Sequence, residues 1–387
     1  MSALAVLALV SLAGWLFLLF ARGGFWRADQ RLPADLPAPD EWPDIVAVVP
    51  ARNEAPYIAQ SLTSLLHQDY PGRFAVVLVD DDSDDGTADI ARQAARAVHA
   101  EDRLIVEPGA PPAPGWTGKM AAVARGVARA EALRPEARYL LLTDADIVHA
   151  PNALRRLVAQ AEAGGRDLVS LMVRLHCRGW AERLLIPAFV FFFQKLFPFP
   201  LVNDSGARVA GAAGGCMLVR RTALARAGGI AAIRGALIDD CALAGRLKPG
   251  GPIWLGLATE SRSIRPYGGF AGIWHMVART AFTQLDHAPW LLVASVLGMA
   301  LLYLVPPGAA IVGLALGDPL AAAAGALAWL AMAWAYAPTL RLYGRPAIAG
   351  ALLPVAGLLY ALMTVDSARR HWLGHGGTWK GRSFSPQ

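Results

Sequence analysis

The chain has 387 residues, of which 55% are hydrophobic, and its mean hydropathy of +0.38 is high for a soluble protein. These values predict membrane segments, and the net charge of +6 suits a protein that rests on anionic lipid. The basic residues are scattered and form no basic–aromatic recognition motif, so we expect no nucleic-acid partner. The three cysteines form no CxxC and no even disulfide framework, which indicates a reducing compartment or simple apolar packing.

The chain starts with an apolar run, residues 4–20, that contains no charge and is followed by arginines. A cleaved signal peptide carries its positive charge before the apolar run, so we predict an uncleaved transmembrane anchor over residues 1–22. The arginines after the anchor place the next domain in the cytoplasm. A proline-rich linker, residues 23–44, leads into that domain.

From residue 45 onward, strand-like and helix-like segments alternate. The strands are predicted at 45–49, 74–79, 104–107, 139–143 and 168–173, with helices at 55–67, 87–99 and 119–133. This alternation predicts an α/β domain with a Rossmann-like, mostly parallel sheet joined by right-handed crossovers. In such a sheet, ligands bind outside the carboxyl ends of the strands.

Polar residues follow several of these predicted strands. In P-A-R-N-E, which ends the first strand, Arg52 and Asn53 can hydrogen-bond a base or a phosphate. At the end of the second strand, Asp80 can accept a hydrogen bond from an N–H of a base. The run Y-L-L-L-T-D-A-D ends in Asp144 and Asp146, and two carboxylates at a buried strand end are costly unless a cation compensates them. Mg²⁺ or Mn²⁺, completed by a substrate's phosphates, suits them; the alternative is a solvated Asp-rich turn.

These strand ends and the loop G-W-T-G-K resemble, in order and spacing, the family 2 glycosyltransferases, which have a GT-A fold. The resemblance covers residues 45 to about 280 and implies a metal-dependent enzyme with a nucleotide-sugar donor, UDP-type. It implies that Asp146 holds the metal and that Asp144 lies near the ribose or the metal. Lys119 would neutralise the charge of the donor, unless it is a helix residue facing water. The base-binding residues implied by the resemblance are Pro50, Arg52, Asn53, Glu54 and Asp80.

Two further motifs resemble the acceptor side of the family. In G-G-C-M-L-V-R-R, Gly214 and Gly215 would let a sugar approach the backbone closely. In L-I-D-D-C-A-L, Asp240 would be the general base that takes a proton from the acceptor hydroxyl, which implies inversion at the anomeric carbon. Asp239 belongs to the acceptor side or is a helix N-terminal acid favoured by the helix dipole.

One departure from the family pattern concerns the processive members, which carry Q-x-x-R-W. Here the corresponding segment reads M-V-A-R-T and retains only Arg279, which implies a single transfer rather than polymer growth. Arg279 would contact the diphosphate, or it is a surface charge.

The remaining apolar segments predict further contact with a membrane. The aromatic-rich segment 184–202 is predicted to lie at the headgroup region, with a buried core helix as the alternative. The stretches 290–316, 320–338 and 347–365 predict a C-terminal transmembrane bundle, 287–366, followed by a basic tail, 367–387. If each stretch crosses once, the basic tail lies outside, against the positive-inside rule. Either the proline-interrupted first stretch is re-entrant or doubles back, or the tail escapes the rule. The motif W-K-G-R in the tail resembles a segment that approaches the donor site in lipid-directed relatives, which would require a cytoplasmic tail.

Several longer phrases, among them A-A-G-G-C-M-L-V-R-R and L-I-P-A-F-V-F-F-F-Q-K-L, are similar to the bacterial hopanoid-biosynthesis-associated glycosyltransferases. This resemblance implies an enzyme of the bacterial cytoplasmic (inner) membrane, with residues 45–286 as a catalytic domain facing the cytoplasm. It would move a single sugar to a lipid hydroxyl, hopanoid or polyprenol-like. The alternatives are a polyprenyl-phosphate or ceramide-type glycosyltransferase, a nucleotidyltransferase, and a non-catalytic nucleotide-binding membrane scaffold.

Overall fold

The computed structural model describes residues 1–33, 35–374, 378–379 and 382–383. The chain divides into two compact units. The helical unit contains Met1–Asp29, Cys177–Pro200 and residues 266–374, whereas the sheet unit contains Gln30–His176 and Leu201–Arg265. Segments 177–200 and 266–286, which the sequence analysis assigned to the catalytic domain, therefore belong to the helical unit.

Within the described part of the chain, the main sheet has eight strands. These are β1 (Ile45–Ala51), β2 (Phe74–Asp80), β3 (Leu104–Pro108), β4 (Tyr139–Thr143), β5 (Ile147–Val148), β6 (Leu168–Arg174), β7 (Cys216–Arg220) and β8 (Ile253–Ser263). Near the C-terminus, β9 (Thr378–Trp379) pairs antiparallel with β10 (Arg382–Ser383); Lys380 and Gly381, the middle of W-K-G-R, lie outside the described residues.

Fourteen α-helices are found in the described residues. They are α1 (Ala3–Phe20), α2 (Ala55–Leu66), α3 (Thr87–Ala97), α4 (Gly118–Leu133), α5 (Ala153–Ala163), α6 (Trp180–Leu196), α7 (Phe199–Asn203), α8 (Arg221–Arg226), α9 (Asp239–Leu247), α10 (Gly269–Thr280), α11 (Pro289–Met299), α12 (Val305–Ala315), α13 (Pro319–Leu342) and α14 (Leu353–Trp372).

The strand order of the main sheet is β3-β2-β1-β4-β7-β6-β8-β5. Strands β3, β2, β1 and β4 are parallel, so their carboxyl ends share one edge. β7 runs antiparallel to β4, with Cys216 opposite Thr143, and this places the start of β7 beside the end of β4. β8 is antiparallel to β5, with Ser263 opposite Ile147, so the end of β8 reaches the same region.

Packing explains why the strands read as apolar runs rather than as alternating patterns. All seven residues of β1 are buried, and so are the first six of β2 and all five of β4. A strand covered on both faces needs apolar side chains on both faces. The polar residues are therefore confined to the strand ends, where the sheet edge meets solvent.

Among the described residues, the helical unit contains four helices that are long and apolar enough to cross a membrane: Ala3–Phe20, Pro289–Ala315, Pro319–Leu342 and Ala347–Trp372. They include the N-terminal and the C-terminal apolar stretches of the sequence, which is consistent with membrane association. Helix α6, within the aromatic-rich segment, packs in the same unit, where Phe191 contacts Tyr336 and the Tyr360 hydroxyl donates to the Leu185 carbonyl at 2.9 Å.

The proline-interrupted stretch forms one continuous helix. A π-helical segment, Ala300–Leu304, joins α11 directly to α12. Pro306 and Pro307 lie at the start of α12, where the wider π turn accommodates residues that lack an N–H. The chain therefore does not double back at these prolines.

The last two helices run in the same direction. α13 is antiparallel to α12, because Gly313 packs on Ala322 close to the connecting turn. α14 is also antiparallel to α11 and α12, because Gly357 packs on Tyr303 and Ala368 clusters with Leu292.

The link between α13 and α14 explains how two consecutive helices can be parallel. Residues 347–352 form a 3-10 helix that returns along α13, with Gly350 against Ala333 and the Trp329 indole donating to the Ala351 carbonyl at 3.2 Å. α14 then runs back toward the end of α13. Within the helical unit, α13 and α14 therefore both end on the side where α11 begins.

Candidate active site

The first two strand ends are joined by hydrogen bonds. The Arg52 guanidinium donates to the Asp82 carbonyl at 3.1 Å. Asn53 adopts a left-handed conformation with φ of 52°. Its backbone N–H donates to Ser83 Oγ at 3.0 Å, and its Oδ1 accepts from the Asp84 N–H at 3.1 Å. Arg52 and Asn53, predicted as donor-binding residues, thus also hold the loop after β2 in position.

Asp80 closes β2 with an unsatisfied carboxylate oxygen. Pro50 pairs with Val79, which brings the P-A-R-N-E strand end beside Asp80. The Gly109 N–H donates to the Asp80 backbone carbonyl at 2.7 Å, and a Cβ at Gly109 would lie 2.6 Å from the Asp81 Cα. Within the described residues, Oδ1 of Asp80 is buried and accepts no hydrogen bond. A buried acceptor without a partner is costly, so this oxygen suits a ligand N–H.

Lys119 lies between two carboxylates at the start of α4. Thr117 caps the helix by accepting from the Met120 N–H at 3.2 Å, and Lys119 follows in the first turn. Its Nζ lies 3.0 Å from Asp144 and 3.1 Å from Asp239. Burial alone would lower the pKa of Lys119, but the two carboxylates outweigh it and raise the pKa above its ordinary value. Lys119 is therefore a fixed cation, and not a helix residue facing water.

Asp144 and Asp146 lie in the turn between β4 and β5. Burial raises the pKa of Asp144, and the charges of Asp146 and Asp239 raise it further, whereas Lys119 opposes them. Asp146 accepts from Ser263 Oγ at 3.1 Å and from Arg265 Nε at 3.0 Å. The two carboxylates of D-A-D thus pair with different cations, Asp144 with Lys119 and Asp146 with Arg265.

Asp240 lies in the first turn of α9 and accepts two backbone hydrogen bonds. The Gly214 N–H donates to Oδ2 at 2.8 Å, and the Cys241 N–H donates to Oδ1 at 2.7 Å. Burial raises the pKa of Asp240 from 3.8 to about 6, and the charge of Asp239 contributes, whereas Lys119 lowers it. A carboxylate with a raised pKa is a stronger base than an exposed one, which suits proton abstraction near neutral pH.

The two glycines before β7 have separate structural roles. A Cβ at Gly214 would lie 3.4 Å from Asp240 Oδ2, so the small residue leaves room for the carboxylate. A Cβ at Gly215 would lie 3.1 Å from Val173 Cγ2. The Gly215 carbonyl accepts a hydrogen bond from Thr143 Oγ1 at 2.7 Å. Their contact with an acceptor sugar stays a prediction.

Arg265 is a site residue that the sequence analysis missed. It follows β8, and its guanidinium pairs with both Asp146 and Glu54 while stacking over the Tyr57 ring at 4.6 Å. Glu54, predicted to bind the base, is buried and engaged in this ion pair. The signal in the sequence was a basic residue two positions after a strand end, close to the kind of position where the acids were recognised.

The predicted cation fits the chemistry of this cluster. Asp144 and Asp146 offer hard carboxylate oxygens, and their mutual repulsion is one cause of the raised pKa of Asp144. In the described part of the chain, no group of three His, Cys, Asp or Glu side chains is arranged to hold a metal. Mg²⁺ is commonly bound by one or two carboxylates together with substrate phosphates. Two carboxylates are therefore a sufficient protein contribution.

Arg279 lies in the last turn of α10, in the helical unit, where its side chain is exposed. Its contact with the diphosphate stays a prediction.

Comparison with known proteins identifies similar chains. The family model described as "Glycosyl transferase family 2" matches residues 46–228. A curated N-acetylglucosaminyltransferase of Mesorhizobium japonicum is 30% identical over 155 residues, covering 39% of this chain and 34% of that protein. The chain thus matches about a third of the length of this relative.

A solved structure is similar over nearly the whole chain. The mannosyltransferase PcManGT from Pyrobaculum calidifontis, in complex with GDP-Man and Mn²⁺, has a TM-score of 0.54 and 20% identity. The similarity covers 94% of this chain and 99% of that one. It confirms the predicted α/β fold of GT-A type with N-terminal and C-terminal apolar helices. The structural similarity thus shows the fold, and the family model covers the part of the chain that contains Asp80, Lys119, Asp144, Asp146 and Gly214.

Proposed function

We propose that the protein is a membrane-bound inverting glycosyltransferase that moves a single sugar from a nucleotide-sugar to a lipid hydroxyl. The observation that carries this proposal is Asp240, a partly buried carboxylate with a raised pKa, held by the Gly214 and Cys241 N–H groups. It lies in the same cluster as Asp144, because Lys119 bridges Asp144 and the neighbouring Asp239.

The donor would bind along the edge formed by β1, β2 and β4. The buried Oδ1 of Asp80 would accept from an N–H of the base, in line with a UDP-type donor. Lys119 would stabilise the diphosphate as negative charge develops on it during departure. Asp144 and Asp146 would hold Mg²⁺ or Mn²⁺, which as a Lewis acid supplies further stabilisation of that charge.

Asp240 would take the proton from the acceptor hydroxyl. The hydroxyl oxygen then forms its bond to the anomeric carbon while the bond between that carbon and the diphosphate oxygen breaks. Attack from the face opposite the leaving group inverts the configuration. The Gly214 and Cys241 N–H groups keep the carboxylate in one orientation, so both of its oxygens are fixed before the acceptor arrives.

A lipid acceptor is supported by the four helices that are long and apolar enough to cross a membrane. The sequence phrases similar to the hopanoid-associated group favour a hopanoid hydroxyl. A polyprenyl phosphate or a ceramide-type lipid is the alternative acceptor on the same fold. The cytoplasmic membrane, with the sheet unit facing the cytoplasm, is the proposed location because arginines follow α1.

A comparison of lipids tests the proposal. Total lipids from cells with the gene, cells without it, and cells that carry Asp240→Asn are analysed by mass spectrometry. We expect one lipid to be lighter by one sugar in the absence of the protein and in the variant, and its mass identifies the acceptor. Identical lipids in all three strains would contradict a lipid acceptor.

A further inference from the structure

Lys195 is a cation within the helical unit, and it forms no ion pair with an acid among the residues that the structure describes. Its Nζ donates to the Tyr303 hydroxyl at 2.8 Å and lies over the rings of Phe192 and Tyr303, 5.2 and 4.7 Å from their centres. Aromatic faces stabilise an ammonium group but leave its charge uncompensated. Burial, with a contribution from Arg22, lowers the pKa of Lys195 to about 8, so the side chain remains largely protonated at neutral pH.

A second cation, Arg22, contacts the backbone of the segment that contains Lys195. The Arg22 guanidinium donates to the backbone carbonyls of Lys195 and Leu196, each at 3.4 Å. Neither Arg22 nor Lys195 has a carboxylate within ion-pair distance among the residues that the structure describes. The charge of Arg22 acts on Lys195 and contributes to its lowered pKa, so the two charges repel each other, and without a counter-ion this arrangement favours the binding of an anion.

The residues around the two cations are of the kinds that are enriched at a membrane interface. Arg22 lies just beyond α1, and Trp26, which follows it, packs on Trp334 at 4.5 Å. Tryptophan is enriched where helices leave the hydrocarbon core. Phe20 and Leu196, which flank the cations in the sequence, are 78% and 45% exposed and offer an apolar surface beside them.

We propose that Lys195 and Arg22 form a binding site for the phosphate group of an anionic membrane lipid. Ammonium and guanidinium groups both form charge-assisted hydrogen bonds with phosphate oxygens. The exposed side chains of Phe20 and Leu196 would contact the lipid chains. The phosphate comes either from a bulk phospholipid or from a polyprenyl phosphate, and neither Lys195 nor Arg22 is among the residues proposed for the transfer chemistry.

Native mass spectrometry of the full-length protein tests this site. The protein is released from nanodiscs of phosphatidylglycerol mixed with phosphatidylcholine, and the bound lipids are counted. We expect the wild type to retain phosphatidylglycerol preferentially, and Lys195→Met and Arg22→Gln each to reduce this preference about tenfold. Arg341→Gln, which removes an exposed cation from the end of α13, is the matched control and should behave as the wild type.

Two additions make the result decisive. Lys195→Arg keeps the positive charge and should keep the preference, which separates charge from packing if Lys195→Met folds poorly. Displacement of phosphatidylglycerol by an added polyprenyl phosphate would assign the site to that lipid, and no displacement would assign it to bulk phospholipid. An unchanged preference in folded Arg22→Gln and Lys195→Met would overturn the proposal.

Discussion

Replacement of Asp240 by Asn separates catalysis from stability. The substitution keeps the shape of the side chain but removes its ability to accept a proton. Loss of a general base lowers kcat by about 10²- to 10⁴-fold. Because Asp240 has a pKa of about 6 in the folded protein, its basic form is lost as the pH falls through 6. We therefore expect the wild-type kcat/KM at pH 5 to be roughly a tenth of its plateau value.

Although Asp240→Asn loses activity, we expect its folding stability at high pH to stay the same or to increase. Folding raises the pKa of Asp240 from 3.8 to about 6, so the carboxylate form is less stable in the folded chain than in the unfolded chain. The contribution of protonated Asp240 to the free energy of unfolding is fully present below pH 3.8 and is lost as the pH rises through 6. At pH 8 the ionised group costs at most about 3 kcal/mol, and Asp240→Asn removes that cost. We expect the melting temperature of the variant at pH 8 to equal or exceed that of the wild type.

The assay measures transfer rate, nucleotide binding by calorimetry, and melting temperature on the same preparations. Asp239→Asn is the matched control, because it keeps the base but removes a charge that raises the pKa of Asp240. The acidic limb of its pH profile should move to lower pH. A wild-type transfer rate in Asp240→Asn would show that Asp240 is not the base, and an acidic limb that does not move in Asp239→Asn would show that Asp240 does not set that limb.

Three further predictions concern the cations and the topology. Lys119→Met should weaken binding of a nucleoside diphosphate about tenfold or more in calorimetry, since it removes a charge-assisted contact; unchanged affinity would exclude a contact with the donor. Arg265→Gln should tighten Mn²⁺ binding measured by electron paramagnetic resonance without nucleotide, because the arginine competes for Asp146, whereas the exposed Arg262→Gln should not. Leu316 lies in the turn where α12 ends and α13 begins, whereas Leu373 follows the end of α14, which lies on the same side as the end of α13. In intact cells of a variant without its native cysteines, an impermeant thiol reagent should therefore label Leu316→Cys but not Leu373→Cys. Labelling of both would contradict that topology.

The strand ends that carry the site could be predicted because their pattern is local. An apolar run that stops at acids, as at Asp80 and Asp144, follows directly from a buried strand that meets the sheet edge. The ion pair between Arg265 and Glu54 joins residues 211 positions apart, and no local pattern indicates it. The pairing arises only because β8 lies next to β5 and its end therefore meets the turn that contains Asp146.

The membrane topology shows a similar division between local and distant information. The apolar stretches were visible in the sequence, because length and hydropathy are local properties. Of the two explanations that the sequence left open for the basic tail, a re-entrant or doubled segment at the prolines does not occur, because a π turn keeps the helix continuous at Pro306. The return occurs at residues 347–352, where Gly350 packs on Ala333 of the preceding helix. A glycine that allows close packing cannot be distinguished in the sequence from one that ends a helix.

The most direct test of the central claim is a transfer reaction with purified protein. Wild type and Asp240→Asn are incubated with labelled UDP-sugars and GDP-sugars, Mn²⁺ and a bacterial lipid extract, and the lipid-linked label and its anomeric configuration are determined. We expect a labelled lipid with inverted configuration, formed at least about 100-fold more slowly by Asp240→Asn. Retained configuration, or equal rates for the two proteins, would contradict the assignment of Asp240 as the base of an inverting transfer.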